Sequence, residues 1–274
     1  MTDSRPSIRT LVDFPALQQL AQALWRRRGE RGAAAMIGAG FSLNAEVMTQ
    51  DARRPPLWRE LAQTMATAIY GDSPLAPPDA LRLAEEYRTY FGQAALDDMI
   101  RAAIPDAAWN PGILHNALVG LPWADILTTN YDTLVERAAE LAVERHYSVV
   151  RTEGDLARFS APRVIKLHGT VGVDDSFVIA EEDYRTYPAR HAAFVNAARQ
   201  VFIENELCLF GFSGDDPNFL AWSGWVRDHL ASAARRIYLV GVLNLAPAKR
   251  RLLEARNIAP IDLAPLVADL DPSI

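Results

Sequence analysis

The chain has 274 residues, half of them hydrophobic, with 28 Lys and Arg against 34 Asp and Glu for a net charge of −6. This is enough apolar material for one large core, and one elaborated domain accounts for it better than two equal ones. The acidic balance without a basic stripe argues against direct nucleic-acid binding, one cysteine excludes a disulfide framework or a cysteine-based zinc ribbon, and no apolar window is long enough to span a membrane.

The polar residues 1–7 carry no apolar signal core, so a reducing cytoplasmic setting is expected. Leu17, Leu20, Ala21 and Leu24 recur at helical spacing and predict a helix over 13–28, with Arg26, Arg27, Arg28 and Arg31 as its solvated basic end. A buried strand over 33–37 runs into a small-residue loop, Gly38–Ser42. Pro55 and Pro56 then precede a helix over 57–70. A break rich in Pro, Ser and Gly covers 71–78, helices are expected over 79–90 and 93–103, and after a second break at 105–112 comes a short helix over 115–121. Residues 45–121 therefore read as an all-helical insertion without a strand.

From there strands and helices alternate. Strands are expected at 125–129, 147–150, 163–167, 207–210, 237–242 and 258–263, and helices at 131–143, 181–187, 192–204, 218–230 and 247–255. Such alternation predicts an α/β fold: one domain over 1–274 with a mostly parallel sheet, helices on both faces, and the 45–121 insertion following the first strand. Cys208 falls inside an apolar strand and reads as a small buried hydrophobe.

The polar residues with chemical potential fall at the carboxyl ends of the expected strands, where open α/β sheets bind ligands. Gly38-Ala39-Gly40-Phe41-Ser42 reads as a phosphate cradle or a simple tight turn. In Thr128-Thr129-Asn130-Tyr131-Asp132, Asn130 and Asp132 serve as helix caps or as an amide and a carboxylate for a ligand. His168, before Gly169, places an imidazole suited to proton transfer at a strand end, or is structural. Gly211 and Ser213 precede Asp215, Asp216 and Pro217, which suit a helix start. Asn244 ends a late strand as a ligand contact or as a loop residue. His115, His146, His191 and His229 lie on helices or their edges and are read as structural.

The order of these motifs, Gly-Ala-Gly-x-Ser, Thr-Asn-x-Asp-x-Leu, His-Gly, Gly-x-Ser and a late strand ending in Asn, resembles the sirtuin superfamily. Leu57-Trp58-x-x-Leu61 and Asp215-x-Pro217-Asn218 are similar to the prokaryotic sirtuin-like branch found in antiviral defence systems. Protein-deacylating sirtuins carry a four-cysteine zinc module and a Gly-Ile-Pro-Asp-Phe-Arg segment. This chain has one cysteine, and Leu43-Asn44-Ala45-Glu46-Val47 stands in place of the segment.

The resemblance implies a Rossmann-like domain that cleaves NAD+ with water to nicotinamide and ADP-ribose, without a metal. Asn130, His168 and Asp132 would be catalytic: Asn130 for the nicotinamide ribose and water, His168 as general base or ribose orienter, Asp132 for the carboxamide. Gly38, Ala39, Gly40, Phe41, Ser42, Thr129, Gly211, Ser213 and Asn244 would bind the dinucleotide. It also implies an effector that depletes NAD+ in antiviral defence, controlled by its own oligomer or by a partner such as an ATPase translocase or an Argonaute-like protein. A non-catalytic sensor of NAD or ADP-ribose is the alternative, with a deacylase and an oxidoreductase behind it.

Overall fold

The computed structural model describes residues 7–26, 32–48, 53–71 and 79–267. The expectations placed on residues 1–6, on Arg27, Arg28 and Arg31, and on 72–78 lie outside the described residues. Arg26 pairs with Glu206 Oε1 at 3.3 Å.

In chain order the elements are α1 (Phe14–Leu24), β1 (Ala33–Ile37), α2 (Ala39–Ser42), β2 (Glu46–Val47), α3 (Trp58–Tyr70), α4 (Ala80–Phe91), α5 (Gln93–Ala103), β3 (Trp109–Asn110) and α6 (Ile113–Gly120). There follow β4 (Ile126–Thr128), α7 (Leu134–Leu141), β5 (Ser148–Val150), α8 (Glu153–Arg158), β6 (Arg163–Lys166), α9 (Glu181–Arg190), α10 (Ala192–Glu204) and β7 (Glu206–Phe210). The last are α11 (Pro217–Leu230), β8 (Ile237–Gly241), α12 (Pro247–Ala255), β9 (Ile258–Asp262) and α13 (Ala264–Val267).

Seven strands form one sheet in the order β5-β6-β4-β1-β7-β8-β9, and every neighbouring pair is parallel. Such a sheet needs cover on both faces, and the central strand shows why: all five residues of β1 are buried. Alternate side chains divide between two cores. Ala34 and Met36 join Leu127, Ile165, Leu209 and Leu239 beneath Phe194 and Phe202 of α10 and Trp222 of α11. Ala33, Ala35 and Ile37 join Ile126, Val164, Cys208 and Tyr238 beneath α1 and α7. The α/β expectation, with a parallel sheet covered on both faces, is met.

A third core unites α3, α4 and α5 through Leu61, Met65, Leu83, Leu96 and Ile100, and runs on to Tyr131, Phe177 and Ile179 beside the sheet. Here the strandless reading of 45–121 is corrected. β2 and β3 form a two-stranded antiparallel ribbon, with Glu46 opposite Asn110 and Val47 opposite Trp109. Each contributes two residues, too few for any periodicity to register. The buried Trp109 supplies the reason for the ribbon, donating its Nε1–H to the Arg53 carbonyl at 2.7 Å. The far end of this region is tied to the start of α7 by Asp106, which accepts from Thr133 N at 2.9 Å and meets Arg137 at 3.3 Å.

Several helices also differ from expectation: α2 and α13 are further short helices, and α9 runs on to Arg190 rather than ending at 187. α8 was not foreseen; its six residues start on a reciprocal cap between Thr152 and Asp155. α7 starts at Leu134 rather than at 131, because Asp132 Oδ1 accepts the Leu134 N–H at 3.2 Å and residues 131–132 form a bend, with Thr133 outside helical geometry (φ −108°, ψ 18°).

At the centre of the sheet, the loops after β1 and β7 touch. Gly211 has φ +57°, and a Cβ there would lie 1.9 Å from Phe41 N. Gly211→Ala is expected to lower unfolding stability by at least about 2 kcal/mol, combining left-handed strain with a backbone collision. Urea unfolding checks this; an unchanged midpoint would contradict the packing described.

Candidate active site

The strand order reverses at β1, with β4 on one side and β7 on the other, so a crevice opens beyond their carboxyl ends. The glycines of the first loop are required by contact rather than by torsion. Gly38 has an extended backbone (φ −118°), yet a Cβ on it would meet Gly211 O at 2.7 Å, and one on Gly40 would meet the same atom at 2.9 Å. The loop turns directly into α2, a single helical turn. The N–H groups of Gly38, Gly40 and Phe41 bond to Phe210 O, Gly211 O and Gly38 O at 3.0, 2.9 and 2.9 Å. Three amides of the anticipated phosphate cradle are therefore engaged with backbone acceptors.

Beside the loop lies a buried polar network. Asn130 donates through Nδ2 to Ser42 Oγ at 2.9 Å and to Gly38 O at 3.1 Å, and Ser42 donates to Asp132 Oδ2 at 2.7 Å. The backbone N–H of Asn130 bonds to Thr128 Oγ1 at 3.1 Å, which holds the residue at the strand end. Asn130 Oδ1 is buried and has no partner. Beneath this network Lys166 Nζ donates to the Asp132 carbonyl and stands 3.0 Å from Glu136 Oε1, as an ion pair without hydrogen-bond alignment. Burial pushes the Glu136 carboxyl up from its ordinary range, against the pull of Lys166.

His168 completes the site. It is 2% exposed, with Nε2 at 3.2 Å from Asn218 Nδ2 and the rings of Tyr184 and Tyr187 edge-on at 5.3 and 5.8 Å. Tyr184 in turn donates to Asp216 Oδ2 at 3.1 Å, and Asp216 Oδ1 caps α11 through Phe219 N at 2.9 Å. Burial lowers the imidazole pKa below its usual value, outweighing the nearby Asp216 and Asp183 carboxylates.

Part of this network faces one cavity of about 1310 Å³. Gly38, Ala39, Gly40, Phe41, Ser42, Thr129, Asn130, Asp132, His168, Gly211 and Ser213 all line it. Asn244 does not. It is exposed, with φ +47°, and its N–H bonds to Asp262 Oδ1 at 3.3 Å; Gly241, Val242 and Leu243 line the wall instead. Opposite the polar rim, Leu57, Trp58, Leu61, Leu114 and Leu118 form an apolar wall. Tyr184 was missed by sequence reasoning, since nothing marks a tyrosine inside an acidic, polar helix. In the sequence Asn218 appears only as part of a motif, and the Lys166–Glu136 pair, 30 positions apart, has no signature.

The sequence reads His115 as a structural helix residue, and the structure gives it a specific place. It is buried, its Nδ1 accepts the Gly112 N–H at 3.2 Å, its Nε2 has no partner, and its ring packs edge-on against Phe41 at 4.9 Å. Burial lowers its pKa as well. Among the described residues no group of three or more His, Cys, Asp or Glu is placed to hold a metal ion, and no helix is long and apolar enough to cross a membrane.

A family model described as a SIR2-like domain matches residues 124–261, half of the chain and the part that runs from β4 to β9. The chain belongs to this SIR2-like family. It is 26% identical over 218 residues to an NAD(+) hydrolase ThsA of Acinetobacter baumannii (strain 532279), covering 77% of this chain and 42% of that protein. It is 24% identical over 199 residues to Defense-associated sirtuin 2 of Bacillus subtilis, covering 70% of this chain and 19% of that protein. The chain thus spans less than half the length of these relatives. A crystal structure of a Sir2 homolog–NAD complex superposes with a TM-score of 0.44 at 16% identity, over 92% of this chain and 91% of that one.

The two buried histidines give stability a pH dependence of definite sign. Their folded pKa values lie below the unfolded value of about 6.5, so between the two the unfolded chain binds protons that the native state does not. Stability is therefore expected to fall as pH drops below about 6.5 and to rise with pH through that window. Urea midpoints at about pH 7.5 and about pH 5.5 measure it. His115→Gln should flatten part of the slope, and a steeper loss in that variant would contradict the assignment.

Proposed function

We propose that this chain hydrolyses NAD+ to nicotinamide and ADP-ribose. The observation that carries the reading is the meeting of Asn130 and His168, from different strand ends, on one large cavity at the switch point of the sheet. The names of the relatives, an NAD(+) hydrolase and a defence-associated sirtuin, support the same reading.

The residues suit the dinucleotide. The unpartnered Oδ1 of Asn130 supplies a buried acceptor for a ribose hydroxyl or for the attacking water, while its Nδ2 is anchored by Ser42 and Gly38. Both Asp132 oxygens already accept one hydrogen bond, and each keeps a lone pair with which to take an N–H of the carboxamide. Gly38, Gly40 and Gly211 keep the floor free of side chains where the pyrophosphate would lie. Ser213, with Gly241, Val242 and Leu243 of the same lining, would hold the adenosine ribose in place of Asn244.

Nicotinamide leaves NAD+ as a neutral group from a cationic ring, so the step needs little nucleophilic power. Asn130 positions the water, and His168 acts as a neutral imidazole, either as general base or as the group that orients the ribose hydroxyls. The apolar wall of Leu57, Trp58 and Leu61 keeps bulk water away and strengthens these contacts. In this reading the protein acts in the cytoplasm as a defence effector that depletes NAD+, under the control of its own oligomer or of a sensing partner subunit.

The test is incubation of the purified protein with NAD+, alone and with candidate partners, with products identified by mass. His168→Ala and Asn130→Ala are each expected to slow nicotinamide release by about a hundredfold or more, the scale of a lost acid–base or positioning group. Cleavage at the wild-type rate by both variants would remove the assignment. Tight binding of NAD+ without turnover under every condition would make the chain a sensor instead.

A further inference from the structure

We infer that Asn218 is a positioning residue that holds His168 in its Nδ1–H tautomer, so that the ring meets the ligand as a hydrogen-bond donor and not as a proton acceptor. The consequence for NAD+ cleavage rests on the hydrolase reading above; the tautomer itself does not.

The contact is direct. Asn218 Nδ2 lies 3.2 Å from His168 Nε2, and both side chains are buried, at 4% and 2% exposure. An amide NH₂ only donates, so the ring nitrogen facing it must offer its lone pair, and the single proton of the neutral imidazole then sits on Nδ1. Nε2 is engaged by Asn218, which leaves Nδ1–H for the ligand. Of the two roles open to His168, this selects ribose orientation over general base.

Asn218 is held firmly enough to impose that choice. It is the second residue of α11, whose start is fixed by Pro217 and by the Asp216 cap to Phe219 N. Asp216 also accepts from Tyr184, which fastens α11 to α9 across the imidazole. Phe219 is fully buried against Phe202 and Phe212. Since Asp216 already caps the helix, Asn218 has no capping duty, and its amide is directed at the ring.

Protonation is opposed by the same contact. An imidazolium would turn N–H toward N–H₂, and burial already disfavours the charge. The titratable groups facing His168 are Asp216 at the start of α11, Asp183, Tyr184 and Tyr187 on α9, and His191 at the end of α9. The two carboxylates favour the cation, His191 opposes it, and burial keeps both tyrosines neutral.

The experiment is nuclear magnetic resonance of the full chain carrying isotope-labelled histidine, with the His168 signals identified by their loss in His168→Gln. Wild-type protein should show the Nδ1–H form near neutral pH. In Asn218→Asp the facing group can only accept, so the proton should move to Nε2 and the imidazolium should persist to higher pH. In Asn218→Leu both tautomers should appear. In the NAD+ assay both variants should lose about tenfold or more in kcat while KM changes by less than about threefold, the pattern of a lost transition-state interaction.

An Nε2–H form in the wild-type protein overturns the inference, and that measurement needs no variant to fold. So does an Asn218→Asp protein that keeps the Nδ1–H form, or a changed tautomer with unchanged kcat. If the tautomers behave as expected and no preparation cleaves NAD+, the role of Asn218 stands and the hydrolase reading falls.

Discussion

The rest of the site depends on a contact between two backbones. At the centre of the sheet the loop leaving β1 lies directly against the loop leaving β7, with Gly40 N–H on Gly211 O at 2.9 Å and no room for a Cβ on Gly38, Gly40 or Gly211. Because these loops touch, Ser42 is brought under Asn130, and the chain beyond Gly211 swings out to begin α11 above His168. A side chain at this point would separate the two halves of the crevice. Small residues here thus serve the joining of the halves at least as much as any ligand.

Around that contact the protein buries charge and polarity at some cost. Lys166 and Glu136 are both buried, and the pair stands where its ammonium also holds the carbonyl of Asp132. A buried ion pair of this kind is weak as a source of stability and useful for specifying geometry. Here the geometry specified is that of the Asp132–Ser42–Asn130 chain. Of the acceptors this arrangement leaves without a hydrogen bond, Asn130 Oδ1 belongs to a residue that lines the cavity, whereas the Glu136 oxygens do not. An unsatisfied polar atom at such a place is a sign of chemistry, since elsewhere it would only destabilise the fold.

Much of the architecture was legible in the chain because local patterns and tertiary demands agree. β1, α5, α10 and α12 have the ends that periodicity and turn residues predict, and the polar residues at strand ends do converge. Disagreements arise where a few residues answer to a distant partner. The β2–β3 ribbon is too short to carry a period and is held by Trp109. α7 starts late because Asp132 and Thr133 are used in capping and in the clamp to Asp106. Asn244 has the position in sequence of a ligand contact, yet Asp262 binds the N–H groups of Leu243, Asn244 and Leu245 and folds the loop so that its side chain points away from the lining.

By itself the sequence determined the fold class, the strand ends that carry polar residues and the family, because alternating hydrophobic runs and short polar motifs are local properties of a chain. The tertiary structure alone decided which polar atoms are spent on one another and which are left for a ligand. It alone paired Asn218 with His168, Tyr184 with Asp216 and Lys166 with Glu136, each joining different elements. Hydrogen bonds and burial depend on distance in space, and no spacing along the chain encodes them.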